Sequence, residues 1–343
     1  MKILLLSDPQ SDYGAYYLFN GLCQILGDNN VVTYPFKKSY YGMTDDIYVL
    51  DDGKMGCTHP GDNIVAREPN EWSLSEIAEN IGLFDCIVLT SSRTYAITAL
   101  RDLISMFGKC PKLLAFTDHE DGDSIRWDII NEFKPKVIFK RELLINSPHK
   151  NIYPLPFSSA NNSFPIVDDT VKKWDIFALF GMTHPVRRQI VERLFEIGYE
   201  KIYLGLDTKS LRGDYQEKNK KLQGYKEYLI NIAQSKIALS IRGHGRDCCR
   251  FWEIPVYETL MMMHTLDIQI PHPFQDGVNA VYFKEDGSDL KEKIDYYLAH
   301  DDERIRIAKA GKEHLLKWHT NQKRAEYFLS IVKDKIKFND KNK

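Results

Sequence analysis

The stretch Trp174-Asp-Ile-Phe-Ala-Leu-Phe180, Gly181-Met-Thr-His184, Pro185 to Ile197 and Lys201-Ile-Tyr-Leu204 decides the fold. A short apolar run stops at a glycine. Thr183 offers an N-cap, and Pro185 opens a segment of helical period, because a first-turn proline forfeits no hydrogen bond. A second apolar run follows within a few residues. Strand, tight turn, helix and strand in that order make one unit of a parallel sheet covered by helices.

The alternation continues in both directions. Downstream, it predicts a polar loop over Asp207–Lys221, a helix over Tyr225–Gln234, a strand over Lys236–Ile241 and a Gly/Arg loop at 242–249. A helix from about Phe251, a strand over Leu266–Ile270 and three closing helices over 288–299, 301–317 and 320–337 follow. Upstream, Lys2–Leu6, Asp85–Thr90, Lys112–Phe116 and Lys136–Phe139 read as strands, with helices over Tyr16–Leu26, Leu74–Ile81, Tyr95–Phe107 and Ser124–Glu132. Lys37–Asn70 has no clear period and reads as a long loop or small hairpin insert. Pattern gives way to turn residues around Pro154 to Ser163, which marks a linker. The fold class is therefore α/β, with two tandem doubly wound, Rossmann-like domains over 1–163 and 164–319 facing a central cleft. A helix and basic tail occupy 320–343. Open α/β sheets bind ligands at the carboxyl ends of their strands, but the fold by itself names no reaction.

Composition narrows the classes. The 343 residues carry 46 Lys+Arg against 48 Asp+Glu, so binding of nucleic acid through bulk positive charge is disfavoured. Residues 1–165 hold 15 basic and 21 acidic side chains, net −6, and the remainder is net +4. The two halves suit different ligands, or the difference is surface drift. Mean hydropathy is −0.39, and no apolar run is long enough for a membrane span. Asp8 ends the first apolar run too early for a signal peptide, so the expectation is a soluble, cytoplasmic protein. Six cysteines lack C-x-x-C spacing. His244 with Cys248 and Cys249 has no second pair to complete a zinc site, so neither a metal nor a bound cofactor is expected.

The richest segment is Ser240-Ile-Arg-Gly-His-Gly-Arg-Asp-Cys-Cys-Arg250-Phe-Trp-Glu253-Ile-Pro255. Glycines at 243 and 245 let backbone approach a ligand, and a helix N-terminus behind them favours an anion. Arg242, Arg246 and Arg250 suit a diphosphate, and Glu253 suits sugar or ribose hydroxyls. The plain alternative is a glycine turn with solvated arginines. Gly181, Thr183, His184 and Arg187 form a second such turn, or simply cap a helix. In the acidic half, Asp118-His119-Glu120-Asp121 and Asp123 supply four carboxylates within six residues. They could raise one another's pKa and furnish a general base, or sit solvated in a loop. Asp8, Tyr13 and Tyr16 follow the first strand and suit an acceptor, although tyrosine on a helix face is commonly core. No G-x-G-x-x-G, P-loop, G-x-S-x-G or H-E-x-x-H motif occurs.

The run Gly243-x-Gly245-x-Asp247-x-x-Arg250-Phe-Trp-Glu253-Ile-Pro resembles the G-x-G-x-D-T-x-R-[YF]-W-E-[IA]-P signature of a bacterial and phage group of GT-B glycosyltransferases. That group-1-like set includes spore-coat-maturation-like proteins. Phe180-Gly181 with His184-Pro185-x-Arg187-Arg188, Phe274-x-Asp276-Gly277, Ala310-Gly311, Glu120-Asp121 and Pro154-Leu-Pro-Phe157 are similar in the same order. Cys248 stands where the group has Thr, His119 where it has Gly, and Glu258 where it has a Gly that would let the helix approach the next strand. The resemblance implies a GT-B fold whose last helix crosses back to the first domain. It also implies a nucleotide-sugar co-substrate and metal-independent transfer. The donor would meet Gly181, Thr183, His184, Arg187, Arg242, His244, Arg246, Asp247, Arg250 and Glu253. The acceptor would lie by Asp8, Tyr13, Tyr16 and Asp118, with Asp121 or Glu120 as base. The acceptor is unidentified: a glycan, protein or small molecule, with nucleic acid entering only as modified DNA. A phage-type DNA-base glycosyltransferase, a non-catalytic nucleotide-sugar-binding scaffold and an isomerase acting on a free nucleotide-sugar are the alternatives.

Overall fold

The computed structural model describes residues 1–10, 12–41, 67–160, 171–181, 183–206 and 225–341. Most of the Lys37–Asn70 segment, the Asp207–Lys221 loop, Met182 and the end of the expected linker lie outside them.

The first domain contains β1 (Ile3–Leu6), α1 (Tyr13–Leu26), β2 (Val31–Tyr34), α2 (Leu74–Glu79), β3 (Cys86–Leu89) and α3 (Thr94–Phe107). It continues through β4 (Leu113–Asp118), α4 (Trp127–Phe133), β5 (Val137–Lys140) and β6 (Ile152–Pro154). Among the described residues its strands pair in parallel in the order β2-β1-β3-β4-β5-β6. Every residue of β1 and β3 is fully buried. Helices cover both faces of the sheet, so these strands are uniformly apolar rather than alternating.

The second domain runs β7 (Trp174–Phe180), α5 (Pro185–Ile197), β8 (Ile202–Leu206), α6 (Tyr225–Ala233), β9 (Ser235–Ser240) and α7 (Cys249–Glu253). β10 (Leu260–His264), β11 (Val281–Phe283), α8 (Leu290–Ala299), α9 (Asp301–Trp318) and α10 (Asn321–Lys341) complete it. The strand order is β11-β10-β9-β7-β8, again parallel. Chain direction across the sheet reverses between β1 and β3 in the first domain and between β7 and β9 in the second. Those reversals are the places where the loops part and a ligand can enter.

Two expectations are corrected. The helix from about Phe251 is only the five residues Cys249–Glu253, followed by a 3-10 turn over Ile254–Tyr257. It is too short to aim a sizeable dipole. The strand expected at Leu266–Ile270 lies instead at Leu260–His264. Leu266–Ile270 has another use, since Gln269 N–H donates to Leu143 O at 2.7 Å and Ile145 N–H to Asp267 O at 2.9 Å. A strand-like piece of the second domain thereby pairs with the exit of β5 in the first.

α10 returns to the first domain and lies on α1. Gly21 makes this crossing possible: a Cβ there would overlap the carbonyl oxygen of Asn321 and press on the Ala325 methyl. Phe328 of α10 packs against Phe139 of β5, ring centroids 5.0 Å apart. Gly21→Ala should therefore destabilise the protein by roughly 1–3 kcal/mol, although alanine is the better helix former by about 1 kcal/mol. A urea midpoint equal to or above wild type would show that the helices do not meet here.

Candidate functional site

The sequence reversal in the second sheet places the Gly181–His184 turn beside the Arg242–Cys248 loop. Arg187, in the first turn of α5, staples them together. Its guanidinium donates to Gly181 O (2.7 Å), Thr183 Oγ1 (3.0 Å), Ile241 O (2.9 Å) and Arg242 O (2.8 Å). A Cβ at Gly243 would sit 2.9 Å from Thr183 Oγ1 and 3.0 Å from Arg187 Nη2, so glycine is needed for the loops to close. Arg187, expected on the donor, is turned to backbone carbonyls, and Thr183, expected on the donor and as a cap, accepts from Arg187 while His184 caps α5.

Arg246 and Asp247 are also directed elsewhere. Arg246 donates to Asp267 (2.7 Å), Glu142 (3.2 Å) and Asp123 (3.4 Å). Glu142, fully buried at the end of β5, accepts from Arg246 N–H (2.7 Å), Gly122 N–H (2.9 Å) and Arg141 (2.6 Å). Arg141 also reaches Asp121 and lies 3.6 Å from Asp247. Asp247 is buried, accepting from Phe157 N–H (2.9 Å) and Trp252 Nε1–H (3.2 Å). Both residues, expected on the donor and Arg246 on its diphosphate, are held in contacts that join the domains. A Cβ on Gly245 would overlap Arg141, Glu142 and Asp121, so the second glycine faces the other domain rather than a ligand.

Arg242 is different. Its side chain has no hydrogen bond or ion pair among the described residues, and its Nε is buried. Around it stand His184, whose Nδ1 accepts from Val186 N–H at 3.3 Å, and His264, buried at the end of β10 with Nδ1 unpartnered. Burial, then the Arg242 cation, holds His184 below its ordinary pKa. Burial pushes His264 down to about 4, the Arg242 charge adding to the effect, while Glu285 opposes both shifts. His244 is exposed at the loop tip. Arg250 lies over the Phe180 ring, 4.8 Å from its centroid. Glu253 is buried rather than open to the cleft and accepts from Tyr228 OH at 2.8 Å.

On the first domain the four expected carboxylates each face a cation instead of one another. Asp118 is buried against Lys140 (3.0 Å), Glu120 faces Arg93 (3.6 Å), Asp121 faces Arg141 and Asp123 faces Arg246 (3.4 Å). Asp8 is buried at the β1 exit and accepts from Gln10 N–H at 3.0 Å. Tyr13 packs edge-on against Phe157 at 6.3 Å. Tyr16, expected on the acceptor side, is fully buried among Tyr17 and Tyr40 and belongs to the core. Arg141, Glu142 and His264 were missed as site residues. The signal was three charged residues, Lys140 to Glu142, directly after an apolar strand, where solvated charge alone explains little.

Among the described residues no group of three or more His, Cys, Asp or Glu side chains is placed to hold a metal ion. Among the described residues no helix is long and apolar enough to cross a membrane. An apolar groove of 490 Å³ lined by Ile145, Phe251, Met263, Leu266, Ile270 and Phe274 lies beside the loop pair. Its lining has no charge to meet a diphosphate.

Residues 185–330 match the family described as Glycosyl transferase-like. This glycosyltransferase-like domain starts at the first residue of α5 and so contains the Arg242 loop. No curated protein matches the chain. Among solved structures, Anabaena HepE in complex with UDP-glucose is 10% identical, with 97% of this chain and 100% of that chain covered and a TM-score of 0.64. A glycosyltransferase from Rickettsia africae is 15% identical over 97% and 98%, TM-score 0.56. A putative UDP-N-acetylglucosamine 2-epimerase from Listeria monocytogenes is 10% identical over 97% and 96%, TM-score 0.51. At these identities the likeness shows the fold, which is GT-B.

Burial raises the Asp247 carboxyl to about 6, against the opposing pull of Arg141. A folded-state pKa above the unfolded one makes this group's contribution to stability greatest at low pH. That contribution is lost as pH rises from about 4 to about 6. Asp247→Asn should flatten the stability profile in that window. Parallel wild-type and variant curves from urea melts between pH 4 and 7 would refute it.

Proposed function

We propose that the protein is a glycosyltransferase that takes its sugar from a nucleotide-sugar held at the Gly181–His184 and Arg242–Cys248 loops. The first domain presents the acceptor. The observation that carries this reading is Arg242, a guanidinium with no ion pair among the described residues at the reversal point of the second sheet. Such a cation is costly unless an anion comes to it. The thirteen-residue helix α5 begins beside it, and the positive end of its dipole adds to the attraction. The glycosyltransferase-like match over 185–330 and the UDP-glucose in HepE support a nucleotide-sugar as that anion.

In this reaction the acceptor oxygen bonds to the anomeric carbon and gives its proton to a base, while the bond from that carbon to the diphosphate breaks and negative charge grows on the departing diphosphate. Arg242 meets that charge with α5, so no metal is required. Arg250 stands on the Phe180 side of the same loop, and Glu253 fixes Tyr228 next to it. Of the carboxylates named as base, Asp121 is held by the nearly buried Arg141. Both carboxylates are half exposed, and Glu120, whose pair with Arg93 is long at 3.6 Å, is the freer of the two to take a proton from an acceptor hydroxyl.

UDP or GDP at millimolar concentration, with EDTA present, should raise the melting temperature of wild type and not of Arg242→Ala. Turnover by the variant should fall on the order of 10²–10³-fold. No shift with any nucleoside diphosphate, or an equal shift in the variant, would remove the donor site from this loop.

The scaffold reading drew on Glu258. Its φ is 50°, left-handed, which explains the glycine preference there without any close approach to the next strand. Its carboxylate pairs with Lys312 on α9 at 3.0 Å. Glu258→Gly relieves a backbone cost of roughly 1 kcal/mol and loses a half-exposed ion pair worth about as much or less. Turnover should stay within about twofold of wild type and the melting temperature should not fall. An inactive parent made active by this one change would establish the scaffold reading.

A further inference from the structure

The first sheet has its own reversal, between β1 and β3, and its rim is built differently from that of the second. Arg93 closes β3 and precedes α3. It donates to Gln10 Oε1 (3.0 Å) and faces Glu120 (3.6 Å) and Asp8 (3.9 Å). Ser92 Oγ lies 3.4 Å from Glu120. The exits of β1, β3 and β4 therefore share one network. Next to it stand Tyr34, the last residue of β2, and Tyr95, in the first turn of α3. Their rings lie 24° from parallel with centroids 6.0 Å apart, and their hydroxyls meet at 3.4 Å. Tyr95 is 41% exposed, a large aromatic surface at a strand-exit rim.

Resting on the donor reading above, we infer that this rim is the acceptor subsite and that the acceptor is a saccharide. Three features favour a neutral polyol. The two tyrosine hydroxyls satisfy each other, which leaves ring faces as the recognition surface, and the C–H face of a sugar stacks on such a face. Among the described residues Arg93 is matched by Asp8 and Glu120, and the neighbouring buried Lys37 by Asp12 and Asp8, so they give the rim no surplus positive charge for an anionic acceptor. Its ion pairs are long and partly exposed, hence weak, and hydroxyl groups can enter them by donating to the carboxylates and accepting from the guanidinium. This is the reverse of Arg242, which has no ion pair among the described residues. The two domains thus separate an anion site from a polyol site across the cleft. Glu120 belongs to the rim, so a bound sugar hydroxyl would be within reach of the carboxylate assigned as base.

Saturation-transfer NMR with cellotetraose, maltotetraose and N-acetylchitotetraose, in the presence of UDP, tests this directly. Wild type should saturate at least one of them. Tyr95→Ala and Arg93→Ala should each weaken that binding about tenfold. Tyr95→Phe should retain it, because the ring and not the hydroxyl is used. The UDP-induced thermal shift should be the same in all four proteins. No contact with any saccharide, contact that survives both alanine variants, or labelling of a peptide acceptor with no saccharide contact would overturn the proposal. The UDP shift is read separately, so loss of the saccharide result leaves the donor site judged on its own evidence.

Discussion

A buried set of charges at the domain junction constrains everything else. Arg141, Glu142 and Asp247 are almost entirely removed from water. Each ion would cost several kcal/mol there without partners in good geometry. Partners come from both domains: Glu142 takes the Arg246 N–H and side chain, Arg141 faces Asp247, and Asp247 takes the Phe157 N–H. No single domain can satisfy this set. The loops at the exits of β4, β5 and β9 consequently have one arrangement in which all of it closes, and that arrangement sets the width of the cleft. Arg324 on α10 adds a further tie by donating to Phe157 O at 3.1 Å.

The charge network also explains the two glycines of the 242–249 loop. As a sequence, both glycines read as room for a ligand. Gly243 makes room for Arg187 and Thr183, and Gly245 makes room for Arg141, Glu142 and Asp121. The loop is gripped on two sides by protein. What it offers to a ligand is the side between them, where Arg242 projects. An arginine's role depends on how many carbonyls and carboxylates surround it, and spacing along a loop does not encode that. Arg187, Arg242, Arg246 and Arg250 were therefore equivalent on paper and are not equivalent in space.

Fold was more legible than site because strand and helix periods are local. β7 and α5 fall at Trp174–Phe180 and Pro185–Ile197 as read, since an apolar run, a glycine and a first-turn proline mark both ends. β10 was misplaced for an identifiable reason. Its core is three methionines, unbranched side chains with no strand signal of their own, and the helix expected from Phe251 was carried through to it. The left-handed turn at Glu258 breaks that helix, yet glutamate does not announce one. Leu266–Ile270 has the branched apolar composition of a strand and uses it in pairing with the other domain. β2 and β6 were not singled out. With four and three residues, they are too short for a period to show.

The acidic first half and basic second half, ambiguous as composition, acquire a physical meaning at this junction. Asp121, Asp123 and Glu142 come from the acidic half, and all three are spent on Arg141 or Arg246 within the interface. The basic half is not neutralised to the same depth. After Arg246 has taken its carboxylates and Arg187 its carbonyls, Arg242 is left beside two imidazoles, His184 and His264, on both of which Glu285 also acts. One of those imidazoles, His264, is buried and held neutral, so it cannot repel Arg242 and can accept or donate a hydrogen bond to whatever Arg242 attracts. A positive site that is partly dehydrated and has no ion pair among the described residues draws an anion more strongly than a cluster of solvated arginines could. The same pairing that closes the interface thereby leaves Arg242, without an ion pair among the described residues, where the second sheet opens.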